Sequence, residues 1–174
     1  MKTILLLRHA KSAWNTTGLS DHERPLNRRG ERAAKAIADH LAQHGPRPDQ
    51  ILCSTATRAR QTLAPLIKQF GTPAPPISLE DDLYLASEGS LLARLQALAD
   101  DVTTVLLVGH NDGIWQLAEA LAGRGAPALL ASLREKYPTG TLAMLHVPDG
   151  TWRDLAAGSG KLQAFVRPRD LMRG

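Results

Sequence analysis

The chain has 174 residues, of which 43% are hydrophobic, enough for one globular domain with a substantial core. Its net charge of +4 suits anionic ligands, but no basic block is dense enough to indicate a nucleic acid partner. The sequence lacks the run of roughly 20 apolar residues that spans a membrane, and it also lacks the pattern of a signal peptide. Its single cysteine, Cys53, excludes an internal disulfide. We therefore expect a cytoplasmic protein with no membrane partner.

Apolar runs that predict strands alternate along the chain with amphipathic stretches that predict helices. An apolar run at residues 4–7 predicts the first strand, and the polar residues 10–26 predict a loop over the end of that strand. Asn27 is expected to cap a helix that continues to about residue 44. The further elements expected in chain order are strand 50–53, helix 56–70 with a bend or break at Pro65, strand 77–79, helix 88–100, strand 103–108, helix 112–122, a polar connection at 124–140, strand 141–147 and a last edge strand at 161–166.

This alternation of strands and helices predicts an α/β fold. We expect residues 1–174 to form a single domain with a mostly parallel central sheet and helices on both faces, since no linker or internal repeat divides the chain. In an open sheet of this kind, ligands bind beyond the carboxyl ends of the strands, so the residues that follow each strand are the first candidates for a site.

Histidine and arginine follow three of the predicted strands. Arg8 and His9 come directly after the first strand, and His110 follows the fourth, preceded by Gly109, which permits close approach of backbone and ligand. Arg58 is expected in the first turn of the helix after the second strand, with a Ser or Thr of that connection as the helix cap. One Arg-His pair alone is better explained as a solvated strand end, but its recurrence predicts a site for a doubly charged anion.

Four short motifs resemble the histidine phosphatase superfamily. They are Leu-Arg-His at 7–9, Arg-Pro-Leu at 24–26 followed by Gly30, Ser-Thr-x-x-Arg-Ala-x-Gln-Thr at 54–62, and Gly-His-Asn at 109–111. The chain is most similar to the short SixA-type phosphohistidine phosphatases, which share its Arg-His-Ala-Lys-Ser sequence at 8–12 and its compact length. The resemblance spans residues 4 to about 145 and implies a phosphoglycerate mutase-like fold.

The resemblance also implies a role for each site residue. His9 would attack phosphorus and form a phosphohistidine that water then hydrolyses, without a cofactor. Arg8, Arg58 and Asn111 would bind the phosphoryl oxygens, and a protonated His110 would neutralise the charge that develops on them. From spacing alone, either histidine could be the nucleophile.

The sequence departs from the superfamily's pattern at the proton donor. Members that act on alcohol phosphates carry a Glu shortly after a Leu-x pair, whereas residues 83–85 here read Leu-Tyr-Leu. Four nearby carboxylates could substitute, although a solvated loop position describes each of them better: Glu80, Asp81, Asp82 and Glu88. An imidazole leaving group has a much lower pKa than an alcohol and needs less protonation, so the missing donor favours a phosphohistidine substrate.

The expected function is therefore that of a phosphatase acting on protein phosphohistidine. The implied partner is a histidine-containing phosphotransfer domain of a signalling relay or sugar-transport system. A small-molecule phosphomonoesterase and a phosphoglycerate mutase-like enzyme are the enzymatic alternatives. A non-catalytic phosphate-binding module is the alternative of another class, disfavoured because Arg8, His9, Arg58 and His110 are all present.

Neither a metal nor an oligomer is expected. His40 and His44 are spaced as a zinc pair can be, but no Glu or Cys completes a ligand set. Nothing in the sequence requires more than a monomer. The roles of Lys11, Ser12 and Asn15 stay open between the edge of the pocket and a solvated loop.

Overall fold

The structure, a computed structural model, describes residues 1–172, in which strands and helices alternate as predicted. In chain order the strands are β1 (Lys2–Arg8), β2 (Gln50–Ser54), β3 (Ile77–Glu80), β4 (Thr104–Gly109), β5 (Ala122–Gly125), β6 (Leu142–Val147) and β7 (Gly160–Val166). The helices are α1 (Arg28–His44), α2 (Thr57–Phe70), α3 (Glu88–Gln96), α4 (Gly113–Leu121), α5 (Pro127–Glu135) and α6 (Pro168–Leu171).

Within residues 1–172, the seven strands form one sheet in the order β3-β2-β4-β1-β6-β7-β5. The first four strands of this order are mutually parallel, as expected where helices connect successive strands. β6 runs antiparallel to both of its neighbours, and β5 pairs in parallel with β7. The prediction of a mostly parallel α/β sheet is therefore confirmed.

Side chains of the central strand β1 point alternately to the two faces of the sheet. Ile4 and Leu6 join an apolar cluster with α3, α4 and α5, whereas Leu5 and Leu7 pack with α1 and α2 on the opposite face. All four side chains are fully buried, which explains why β1 reads as a continuous apolar run. Burying each of these side chains stabilises the fold by about 1.5–3 kcal/mol. Helices cover both faces of the sheet, as predicted.

Two predictions about the C-terminal half are wrong. Residues 124–140, expected as a polar connection, contain the end of β5 and all of α5, which begins with Pro127 in its first turn and buries Leu133. Because β5 pairs with β7, the strand predicted at 161–166 is internal and β5 forms the edge. β5 has the sequence Ala-Gly-Arg-Gly, which does not alternate apolar and polar residues. It is a strand through its backbone pairing with β7, which the hydrophobic pattern could not predict.

Smaller differences concern helix ends. Asn27 caps α1 as predicted, with its Oδ1 accepting from the Gly30 N–H at 2.8 Å. The residue at the cap of α2 is instead Ala56, which has no side-chain acceptor, and the Ser54 Oγ accepts from its N–H at 3.2 Å. α2 continues through Pro65 without a break, and α3 ends at Gln96, four residues before its expected end.

Among residues 1–172, no helix combines the length and the apolar composition that crossing a membrane requires.

Candidate active site

The carboxyl ends of β1 and β4 lie side by side, because the two strands pair in parallel with Arg8 opposite Gly109. β2 pairs in parallel with β4 on its other side, so it ends at the same edge of the sheet. A cavity of about 460 Å³ opens at this edge. Five residues singled out from the sequence line this catalytic cavity: Arg8, His9, Arg58, His110 and Asn111.

His9 is buried at the floor of the site and presents one unprotonated ring nitrogen. Its Nδ1 lies 2.7 Å from the carbonyl oxygen of Ala10, which can only accept, so Nδ1 carries the proton and Nε2 the lone pair. Nε2 accepts from the Nε–H of Arg58 at 3.4 Å. Burial, together with the charges of Arg58, Arg8 and Arg24, lowers the pKa of His9 to about 4. At neutral pH, His9 is therefore a neutral imidazole that can act as a nucleophile.

His110 faces His9, with ring centroids 5.1 Å apart. Its Nε2 lies 2.8 Å from the Ser54 Oγ, while its buried Nδ1 has no hydrogen-bond partner in the described part of the chain. Burial and the neighbouring His9 and Arg58 lower the pKa of His110 to about 3, so the free site holds a neutral ring. The imidazolium expected from the resemblance thus requires an anion in the cavity, whose charge would raise this pKa.

The backbone of Tyr137 orients two residues of the cavity. Its carbonyl oxygen accepts from the Arg8 Nη1 at 2.9 Å and from the Asn111 Nδ2 at 3.0 Å. The Tyr137 hydroxyl in turn donates to the carbonyl of Leu6 at 2.6 Å, which anchors this segment to β1. Within residues 1–172, the buried Nε–H of Arg8 has no acceptor, so it is a donor available to a phosphoryl oxygen. No sequence signal pointed to Tyr137, because it follows α5 in the stretch expected to be a polar connection.

Arg58 lies in the first turn of α2, as predicted, and its guanidinium is hydrogen-bonded to a residue of the loop at 10–26. Its Nη1 donates to the backbone oxygen of Asp21 at 2.6 Å and its Nη2 to the Asp21 Oδ2 at 3.0 Å. The side chain of Arg58 is 3% exposed, so the guanidinium has a fixed orientation. A guanidinium has five N–H groups, and these two bonds with the bond to His9 leave two for a ligand.

Asp21 is a site residue that sequence reasoning missed. Its carboxylate also accepts from Arg24, at 3.2 Å from Nε and 3.0 Å from Nη2, and from the hydroxyl of Tyr84. The hydrogen bonds from Tyr84, Arg24 and Arg58 hold the pKa of Asp21 well below its usual range, so the carboxylate is ionised. The available signal was the spacing of Asp21 and Arg24, three residues apart in the Arg-Pro-Leu loop.

None of the four carboxylates considered as proton donors lines the cavity: Glu80, Asp81, Asp82 and Glu88. Glu80 forms an ion pair with Arg94 at 2.8 Å, and Asp81 accepts from the Thr55 hydroxyl at 2.6 Å. The cavity is lined instead by Leu85, within the stretch where the superfamily's pattern places a glutamate. Leu85 has a φ of 50° and is 55% exposed, so an apolar side chain stands at the mouth of the site.

The loop at 10–26 borders the cavity, as predicted. Lys11 and Ser12 line it, whereas Asn15 is exposed and does not. The Ser12 hydroxyl accepts from the Arg24 guanidinium, whose central carbon lies 3.8 Å from the ring centroid of Trp14. Trp14 itself is 77% exposed and lines the cavity from the outer side.

The histidine pair on α1 lies away from the catalytic cavity. The rings of His40 and His44 have centroids 4.8 Å apart. In the part of the chain that the structure describes, no group of three or more His, Cys, Asp or Glu is placed to hold a metal ion.

Known proteins resemble this chain in both sequence and fold. The sequence pattern of the histidine phosphatase superfamily (branch 1) matches residues 4–84. An uncharacterised protein of Mycobacterium tuberculosis is 42% identical over 165 residues, which cover 94% of this chain and 100% of the relative. The solved structure of the "putative phosphohistidine phosphatase SixA" from Nakamurella multipartitia is 33% identical with a TM-score of 0.82, covering 96% of both chains.

A second solved structure, a "putative phosphohistidine phosphatase SixA" from Agrobacterium tumefaciens, is 36% identical with a TM-score of 0.81. The alignment covers 96% of this chain and 98% of that one. These likenesses extend over the sheet, the helices and the strand ends that form the cavity, and they support a phosphatase activity. The chain belongs to the histidine phosphatase superfamily and has the fold of its short, SixA-type members.

Proposed function

We propose that the protein is a metal-independent phosphatase that hydrolyses phosphohistidine on a protein through a covalent phosphohistidine on His9. The neutral His9 Nε2 attacks phosphorus, and the phosphorus–nitrogen bond to the substrate breaks. Its electron pair stays on the substrate ring, which leaves as a neutral imidazole because its other nitrogen carries a proton taken up from solvent. Water then attacks the phosphorus on His9, which releases inorganic phosphate and restores the free imidazole.

The positive charge for both steps comes from the protein itself. The unpartnered Nε–H of Arg8 and the two remaining N–H groups of Arg58 are available to the phosphoryl oxygens. His110, protonated once the dianion is bound, and the Nδ2 of Asn111 complete the set. Fixed donors of this kind stabilise the charge on the equatorial oxygens of the transferring group.

The observation that carries the proposal is the state of the carboxylate in the cavity. Among residues 1–172, Asp21 is the one carboxylate that lines it, and its bonds to Tyr84, Arg24 and Arg58 keep it ionised. Leu85 stands near the position of the superfamily's proton donor. A site without an acid to protonate an alkoxide suits a leaving group of low pKa, such as the imidazole of phosphohistidine.

The partner we propose is a histidine-containing phosphotransfer domain of a cytoplasmic signalling relay or sugar-transport system. The SixA names of the structural relatives support this assignment, since they describe those proteins as phosphohistidine phosphatases. The chain would act on it as a monomer.

A paired hydrolysis assay tests the proposal. Wild type and His9→Ala receive a phosphohistidine-bearing protein and a set of alkyl phosphomonoesters, with and without a chelator. We expect wild type to cleave phosphohistidine much faster than any ester, with no effect of the chelator, and to acquire an acid-labile phosphoryl label that His9→Ala lacks. Faster cleavage of the esters would reject the phosphohistidine preference and favour a small-molecule phosphomonoesterase. Phosphate binding without any turnover would reject the catalytic activity and favour a non-catalytic binding module.

A further inference from the structure

A second cavity, of about 630 Å³, opens beside the catalytic one. Lys11 and Thr139 line both, so the two cavities adjoin each other. Six basic side chains of the described chain line this second cavity, here named the basic groove: Lys11, Arg29, Arg32, Lys136, Arg167 and Arg169. They come from the loop after β1, from α1, from the segment after α5, and from α6 with the residue before it, so the tertiary structure alone assembles them.

Positive charge is concentrated in the basic groove. No Asp or Glu of residues 1–172 is among its lining residues, and the one ion pair formed there joins Arg167 to Asp170 at 3.0 Å. Residues 1–172 contain 20 Lys and Arg and 17 Asp and Glu, so the fourteen basic residues of this part of the chain that do not line the groove are outnumbered by acidic ones. The remainder of the described chain is therefore net negative, and the groove is a local concentration of positive charge beside the active site.

The form of the groove favours a protein surface over a small anion. Five of the six basic residues are exposed, and the sixth, Arg167, is half-buried, so no buried donor is aimed at a single bound group. At the rim of the adjoining catalytic cavity, Trp14 is 77% and Leu85 55% exposed, which gives a bound protein apolar contact area close to the reacting phosphoryl group. Exposed aromatic area in one cavity and dispersed, exposed cations in the adjoining one together suit a protein interface with an acidic partner.

We propose that the basic groove docks an acidic segment of the phosphoprotein next to its phosphohistidine, so that the enzyme selects phosphohistidines flanked by Asp and Glu. This inference rests on the proposed function and names the substrate class of that same site. Attraction between exposed charges is long-ranged and weakened by salt, so the preference should act on KM and decline as ionic strength rises.

The test uses two peptides that each carry one phosphohistidine, flanked by Asp and Glu in one and by Asn and Gln at the same positions in the other. The groove variant is Arg29→Ala with Arg32→Ala and Lys136→Ala. The matched control removes three exposed lysines outside the groove, Lys35→Ala with Lys68→Ala and Lys161→Ala, and so changes the net charge equally.

We expect wild type and control to prefer the acidic peptide about tenfold in kcat/KM at low salt, and the groove variant to lose that preference while cleaving the neutral peptide like wild type. Equal treatment of the two peptides by wild type, or an equal loss in the control variant, would overturn the proposal.

Binding of the unphosphorylated acidic peptide separates this inference from the proposed function. Groove-dependent binding by a wild type that cleaves no phosphohistidine would reject the proposed function and retain an acidic docking surface. Tighter binding of inorganic tripolyphosphate, with displacement of the peptide, would show that a small polyanion is the occupant and would reject the docking of a protein segment.

Discussion

The catalytic cavity and the basic groove adjoin each other and are both rich in arginine, yet they hold it differently. In the cavity, Arg58 and Arg24 are buried and bonded to Asp21, so their orientation is established when the chain folds. In the groove, Arg29 and Arg32 are exposed and take part in no ion pair within residues 1–172. A fixed, desolvated guanidinium can stabilise a developing charge, whereas a mobile, solvated one mainly attracts. The comparison predicts different consequences for arginines of the two regions.

The largest effect is expected for His9→Ala. It removes the nucleophile, so kcat for phosphohistidine should fall by at least about a thousandfold. Single-turnover kinetics and the acid-labile label measure this directly, with His40→Ala, a half-buried α1 histidine outside the cavity, as the control. Activity of His9→Ala within tenfold of wild type would assign the attack to another group.

Substituting arginines of the two regions sharpens the contrast. Arg58→Ala should lower kcat by about a hundredfold on every substrate, because a buried donor to the transition state is lost. Arg58→Lys should recover little, since a lysine cannot bond Asp21, His9 and a phosphoryl oxygen together. Arg29→Ala should lower kcat/KM two- to threefold, on acidic substrates alone and at low salt. Equal losses for Arg58→Ala and Arg29→Ala would remove the distinction between the regions.

Gly30 of α1 packs against the backbone of Lys11, a residue that lines both the catalytic cavity and the basic groove. A Cβ at Gly30 would lie 2.0 Å from the backbone oxygen of Lys11, so Gly30→Ala should cost about 1–3 kcal/mol in the free energy of unfolding and displace the loop of the cavity. Gly89→Ala is the matched control, because nothing lies within 4 Å of its Cβ and alanine favours helix α3 by about 0.5–1 kcal/mol. Urea denaturation of both variants measures the difference, which should have opposite signs.

The buried histidines predict a pH dependence that the solvated arginines lack. The pKa values of His9 and His110 are lowered to about 4 and about 3, so between about pH 6.5 and pH 4 the unfolded chain binds protons that the folded chain does not. The free energy of unfolding should therefore decrease as the pH falls, by roughly 1–2 kcal/mol for each histidine between pH 7 and 5. Denaturation of His110→Gln at both pH values should show a smaller decrease than wild type, and an unchanged slope would contradict the assignment.

A modest effect is expected for Asp21, which positions Arg58 and Arg24 and touches no reacting atom. Asp21→Asn should lower kcat about fivefold, by an equal factor for aryl phosphates whose leaving groups differ in pKa, because orientation and not protonation is lost. Asp21→Glu should restore part of the activity. A loss that grows with the pKa of the leaving group would make Asp21 the proton donor instead.

Much of the fold follows from local sequence patterns. The apolar runs at β1, β2 and β4 predicted buried parallel strands, and Asn27 marked the start of α1, because hydrophobic period and capping chemistry act over a few residues. β5 and the internal position of β7 could not be predicted, since backbone pairing between distant segments decides them and leaves no apolar pattern in β5.

The site divides in the same way. The positions of Arg8, His9, Arg58 and His110 after apolar runs could be read from the sequence, and parallel pairing brings the ends of such strands to one edge. The partners that surround these residues depend on long-range packing, because the hydrogen bond that Arg58 donates to Asp21 is set by how a loop packs and not by spacing along the chain.

The same division explains the neutral histidines and the basic groove. The low pKa of His9 arises from burial and from nearby arginines, of which Arg58 and Arg24 are distant in sequence. The groove unites residues of the loop after β1, of α1 and of α6. The sequence determined which chemical groups are present, through residue type and local pattern. Long-range packing decided their solvation, protonation and neighbours, because these properties depend on what surrounds a side chain in three dimensions.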